Sequence, residues 1–149
     1  MTKKLTKTKK AFILCFIVVA LILAFFAARS TKVYGQLICN LFKQQLTAIA
    51  DDVIKSHNET RWHGMRVRYE ESPVSSDYRV IFETTGFGIV PSSDIKGLYY
   101  SPDDRIITGY LPYSPSDNGL GYFAEESNGD NRFYTEPLDE NWFWFTEHY

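Results

Sequence analysis

"ENWFWFTEHY", residues 140–149, carries four consecutive aromatic side chains, Trp142, Phe143, Trp144 and Phe145, and then turns polar. On a strand, successive side chains point to opposite faces. Trp142, Trp144, Thr146 and His148 would share one face, and Phe143, Phe145, Glu147 and Tyr149 the other. Each face begins apolar and ends polar. That pattern reads as a strand starting between two packed layers and emerging at an edge, rather than as an exposed aromatic patch. Four such side chains, once buried, supply roughly 2–3 kcal/mol each before entropy is subtracted. One face needs a helix to cover it. The other needs its own cover: loops such as residues 86–90, a curled sheet, or another protein.

The helix lies upstream. Ile38, Phe42, Leu46, Ile49 and Val53 follow a 4-4-3-4 spacing and fall within a narrow arc at about 100° per residue. Leu37 and Leu41 widen the stripe on one side, and Asn40, Lys43, Gln44, Thr47, Asp51 and Lys55 cover the opposite side. Residues 29–58 are therefore expected to form an amphipathic helix packed on a sheet, with Asn58 as a left-handed cap. A parallel homodimer or a partner helix is the alternative use of the stripe.

Before this helix, residues 11–28 contain no charge and no strong polar group. Eighteen residues at about 1.5 Å each span roughly 27 Å, close to the thickness of a bilayer core. In lipid every backbone group must be bonded internally, so the segment is expected to be a transmembrane helix. Cleavage as a signal peptide would want small residues at −3 and −1, but Phe25 or Phe26 would occupy −3, so an uncleaved anchor is expected. Five lysines (Lys3, Lys4, Lys7, Lys9, Lys10) and no acid precede the span, against Arg29 and Lys32 just after it. The positive-inside bias puts residues 1–10 in the cytoplasm and the rest outside. Of sixteen basic and eighteen acidic residues, eleven and eighteen lie from Arg29 onward, a net of −7. An acidic domain of this kind is a poor ligand for nucleic acid, which needs clustered Lys and Arg.

Beyond residue 58 the period changes from helical to two. "MRVRYE" (65–70) and "DYRVIFET" (77–84) read as strands joined by "ESPVSS", and "TTGFGIVPSSD" (84–94) reads as a loop. "DIKGLYY" (94–100) and "RIITGYL" (105–111) flank Ser101-Pro102-Asp103-Asp104, a type I turn signal, and so predict a hairpin. "PYSPSDNG" (112–119) is a loop. "LGYFAEE" and "NRFYTE" flank Ser127-Asn128-Gly129-Asp130, another hairpin signal. "PLDEN" (137–141) is a last turn before the aromatic strand. The expected fold is α+β: a transmembrane helix, an amphipathic helix, and an antiparallel sheet of about six or seven strands over residues 59–149.

No motif carries chemistry. His57, His63 and His148 match no zinc spacing, and there is no Gly-x-Ser-x-Gly. Asp103-Asp104 and residues 125–131 gather oxygen ligands on turns but lack the twelve-residue loop of a strong calcium site, and read as solvated hairpins. No catalytic residue, metal or cofactor is expected. Cys15 and Cys39 would stand about 36 Å apart along one helix and cannot pair within a chain. Cys39 reads as a small buried residue, with a Cys39–Cys39 bridge between chains as the sharper alternative. The layout is similar in outline to pilin-like proteins. The marks of that family are a Gly before the apolar run and a Glu within it; here Lys10 precedes the run and no Glu lies in it, so no family is assigned.

These observations favour a single-pass membrane protein with a small acidic head, acting non-enzymatically through a protein partner, self-association or envelope assembly. A second reading makes the head a glycan-binding or hydrolytic domain, with Trp142, Trp144 and Tyr134 as a platform for sugar rings. A third makes it an acidic antagonist of a basic partner.

Overall fold

The computed structural model describes residues 7–73, 75–89, 92–107, 113–126 and 129–149. The apolar run forms helix α1, Lys7–Arg29. It does not continue smoothly into the next helix. Ser30 and Thr31 break it, and their hydroxyls donate to the carbonyls of Ala27 and Ala28, both at 2.7 Å, satisfying acceptors that the end of a helix leaves open. Thr31 then serves as N-cap of α2, Lys32–Ser56, accepting a hydrogen bond from the Tyr34 amide. Arg29 lies by the break, its guanidinium 6.0 Å from the ring centroids of Phe25 and Tyr34. At the far end the left-handed cap is His57 (φ 54°), one residue earlier than expected. Its N–H closes onto the Val53 carbonyl, and its ring packs on Tyr69.

Eight antiparallel strands follow: β1 Thr60–Trp62, β2 Met65–Glu71, β3 Tyr78–Ile89, β4 Ser92–Tyr100, β5 Tyr113–Pro115, β6 Tyr122–Glu125, β7 Arg132–Asp139 and β8 Trp142–His148. They form one sheet in the order β1-β2-β3-β4-β8-β7-β6-β5. The α+β class holds, but among the described residues the strands number eight rather than six or seven. Both extra strands are three-residue edges. β1 turns into β2 through His63 and Gly64, with positive φ at both (46° and 81°), the geometry that two-residue hairpins favour. β5 lies within the stretch expected to be a loop.

Three further differences concern the centre of the sheet. Most of "TTGFGIVPSSD" is strand, because β3 and β4 pair directly from Val80↔Tyr100 to Ile89↔Ser92; Val90 and Pro91 lie outside the described residues. The expected hairpin of residues 94–100 with 105–111 does not form: β4 pairs with β8 instead, and residues 105–107 are not strand, while 108–111 lie outside the described residues. The turn itself exists, closed by the Asp104 amide on the Ser101 carbonyl, but it is tied to the β7–β8 turn by bonds from Ser101 N to Asn141 O and from Asn141 N to Asp104 Oδ1. Finally, β7 runs through Pro137 to Asp139, so the last turn is shorter than expected. The hairpins of β2 with β3 and of β6 with β7 are as expected; Ser127 and Asn128 lie outside the described residues.

The aromatic strand β8 sits between β4 and β7 near the middle of the sheet, and Trp142, Phe143, Trp144 and Phe145 are all buried. Helix α2 covers the Trp face. Its buried residues are Gly35, Cys39, Leu46, Ala50 and Val53, which pack with Val67, Val80, Phe82, Leu98, Trp142 and Trp144. Ile38, Phe42 and Ile49 are only half-buried, and Leu37 and Leu41 are exposed (52% and 63%). The buried stripe is thus rotated toward small residues, because the sheet supplies the large ones. The other face joins Phe143 and Phe145 to Ile81, Tyr99, Ala124 and Phe133. Ile106 packs on it, Ile107 is buried, and the guanidinium of Arg79 lies 5.4, 5.2 and 5.5 Å from the ring centroids of Tyr99, Phe133 and Phe145.

Candidate functional site

Two polar arrangements stand out. The first is buried. Arg79 on β3 donates to Glu147 on β8, to Glu70 on β2 (2.6 Å) and to the Ile107 carbonyl (3.1 Å). Glu70 also pairs with Arg68, which binds Glu83 at 2.8 Å, and the Tyr149 hydroxyl donates to Glu147 at 2.8 Å. Burial works against the charge on Arg79, but Glu147 and Glu70 outweigh it and raise its pKa above the ordinary value. Burial likewise opposes the charge on Glu70, yet Arg79 and Arg68 hold its carboxyl below the usual range. Burial pushes the Tyr99 phenol up to about 12. Because Arg79 bonds both carboxylates and Arg68 adds a second cation beside Glu70, the network is suited to fixing β2, β3 and β8 together rather than to moving a proton.

The second arrangement is a cleft of about 480 Å³ near the ends of β4, β8 and β7. Strand register defines it. Leu98, Trp144 and Glu136 form one row across the sheet. This row lies at the beginning of α2: Gly35 abuts Trp144 and Leu98, and Lys32 pairs with Glu136. The next row is Lys96, Thr146, Tyr134 and Phe123, and the one after it Asp94, His148, Arg132 and Glu125. All point to the helix side, because side chains two apart on a strand share a face. The cleft is therefore the part of the Trp face that lies beyond the first turn of α2. Lys96, Thr146, Tyr134, Phe123, Asp94, His148 and Arg132 line it, together with Asp130 from the β6–β7 turn and with Phe133 and Glu147, which alternate to the other face.

Some of these groups are paired and some are not. His148 Nδ1 lies 2.7 Å from Asp94 Oδ1. Arg132 touches Glu125 only through Nε, at 3.2 Å. The Tyr134 hydroxyl donates to Glu136, and burial followed by that carboxylate raises its pKa. Among the described residues, the Lys96 ammonium, the Thr146 hydroxyl and the terminal guanidinium nitrogens of Arg132 have no protein partner. They stand on three adjacent strands, β4, β8 and β7, each about 4.8 Å from the next.

The residues singled out from sequence fall elsewhere. Trp142 and Trp144 are 0% and 3% exposed beneath α2, so neither indole offers a face to a sugar ring, and Tyr134 lies in the cleft, one row along from Trp144 on the neighbouring strand. The platform of Trp142, Trp144 and Tyr134 is thereby corrected: the alternation put the indoles on one face, and that face is where the helix packs. Cys39 is also fully buried in the core, where burial first and then Asp139 push its thiol up to about 11. A bridge to a second chain would require α2 to lift from the sheet. Asp104 is engaged with the Asn141 amide, and among the described residues no group of three or more His, Cys, Asp and Glu side chains could hold a metal ion. The cleft was hidden from sequence reading because Lys96 and Thr146 are fifty positions apart and meet only through the β4–β8 pairing. The available signal was the polar ending of the Trp face, Thr146 and His148.

Compared with known proteins, the chain matches no family model, no curated protein is significantly similar to it, and no solved structure matches its fold significantly.

Proposed function

We propose that this chain is a single-pass membrane protein with its N-terminus in the cytoplasm and its acidic β-rich head outside. The head would act by binding, in a protein-interaction or envelope-assembly role, rather than by catalysis. One observation carries the reading. The window Phe12–Arg29 of α1 has a mean hydropathy of 2.8, and none of it is buried against the rest of the chain. A core helix hides its apolar side, whereas α1 leaves Phe12, Leu14, Phe16, Leu21 and Leu23 all more than half exposed. A bilayer would cover such a surface on every side. The five lysines before it, against Arg29 and Lys32 just after it, support the orientation. The cleft supports a binding role: its His148–Asp94 and Arg132–Glu125 pairs hold charged side chains in place around open donors.

Alkaline-carbonate extraction of membranes from expressing cells tests the anchor, together with the intact mass of the recovered chain. The expected result is a full-length 17.2 kDa product retained in the membrane pellet. A soluble product shortened by removal of the apolar run would contradict the reading. Co-purification from a detergent extract tests the binding role. A partner or a defined oligomer is expected, and recovery of the bare monomer alone would count against it.

A further inference from the structure

We infer that the cleft is a binding site for a small zwitterion carrying a phosphate group. This deepens the binding role proposed above and rests on the anchored reading only for where the ligand comes from. Lys96, Thr146 and Arg132 offer unpartnered donors from three neighbouring strands, and two of the three are cationic. Donors spread over roughly 10 Å reach an anion from several directions, which suits a tetrahedral phosphate better than a planar carboxylate. His148 stands between Lys96 and Arg132, and its pairing with Asp94 leaves Nε2 open. The cleft is not simply basic. Asp130 lines it without a partner among the described residues, and Asp94 lies at its rim, so an amine on the same ligand would find a carboxylate. Phe123 and Tyr134 supply an aromatic wall on the β6 side for the carbon skeleton or for the amine itself. The volume of about 480 Å³ lies within the usual range for small-ligand sites.

The place of the cleft suggests a source. It opens at the end of the strands that also bears the β1–β2 turn, where Arg29, the last residue of α1, comes within 3.9 Å of the point a Cβ would occupy on Gly64. The cleft and the end of the membrane helix are therefore at the same end of the sheet. A phospholipid headgroup with an amine and a soluble phosphorylated amine share the required chemistry.

Titration of the full-length chain in detergent with O-phosphoethanolamine, followed by calorimetry or by NMR shifts, tests the site. Saturable binding is expected. Lys96→Ala should weaken it by about tenfold or more, as loss of a charged hydrogen bond does. Thr146→Val should weaken it by a smaller factor, and Lys55→Ala, on the exposed end of α2, should leave it unchanged. Thermal melts of each variant report whether the fold is kept, and Thr146→Val decides the matter if Lys96→Ala does not fold. Absence of saturable binding to the wild-type chain would overturn the proposal, as would binding indifferent to both cleft variants. Ethanolamine and inorganic phosphate should each bind more weakly than the joined molecule, and equal binding of phosphate alone would overturn the zwitterion. In nanodiscs, competition by phosphatidylethanolamine but not phosphatidylcholine would identify the lipid as source. Undiminished binding in both discs would identify a soluble ligand, and either outcome supports the site. Because the titration needs no membrane, it can fail while the anchor stands, and the reverse.

Discussion

At Gly35 even a methyl group would stand 2.7 Å from Trp144 Cε3 and 2.9 Å from Leu98 Cδ2. The absence of a side chain lets α2 rest directly on the central strands, and Gly35→Ala is expected to lower stability by about 1–3 kcal/mol through overpacking. Denaturant unfolding of the detergent-solubilised chain measures it. Arg79 has a different role. Its side chain is 2% exposed and joins Glu147, also 2% exposed, to Glu70. Arg79→Leu removes the cation and leaves Glu147 buried without a counter-ion, an imbalance that typically costs about 3–5 kcal/mol. The same network gives a pH dependence. The Glu70 carboxyl is held below its ordinary value, so its contribution is complete above the unfolded pKa and is lost as pH falls through the folded one. Between about pH 5 and pH 3 the wild-type melting temperature should fall more steeply than that of Glu70→Gln, which has no proton to gain there. Parallel slopes would show that Glu70 is not stabilised by its arginines.

The elements were legible from sequence to different degrees, for physical reasons. β8 announced itself by four adjacent aromatics and by the polar change at Thr146, and both of its faces are buried as that pattern implies. The amphipathic helix was visible in its large residues, but its buried arc is set by Gly35, Cys39 and Ala50, small side chains that carry little weight in a hydrophobic pattern. Local turn chemistry was reliable at Ser101-Pro102-Asp103-Asp104, while the pairing drawn from it was not. Turn residues fix a local bend, and strand partners are chosen by long-range packing. Arg79 lies between Tyr78 and Val80 on β3, and its burial depends on Glu70, nine residues before it, and on Glu147, sixty-eight residues after it. The sheet order also predicts a gradient of protection. Amides of β4 and β8, flanked on both sides, should exchange slowest, and those of the three-residue edges β1 and β5 fastest. Hydrogen exchange followed by mass spectrometry would show it, and a β5 as protected as β8 would contradict the order.

For the molecule as a whole, charge and apolarity are separated along the chain: a basic start, an exposed apolar helix, and a head with seven more acids than bases. Ser30 and Thr31 interrupt the rod between helix and head, and the Lys32–Glu136 and Lys43–Asp139 pairs clamp α2 to β7 just beyond. The start of α2, and with it the cleft, therefore lies at the end of the head that bears α1. The central claim is that α1 crosses a membrane with the head outside, and cysteine accessibility in intact cells tests it most directly. Cys39 is buried, and the proposed span encloses Cys15, so background labelling should be low. A cysteine placed in the exposed β2–β3 turn, Ser75→Cys, should react with a membrane-impermeant maleimide added to intact cells, and one at Thr6→Cys should react only after lysis. Labelling of Thr6→Cys but not of Ser75→Cys in intact cells, or of both only after lysis, would contradict the account.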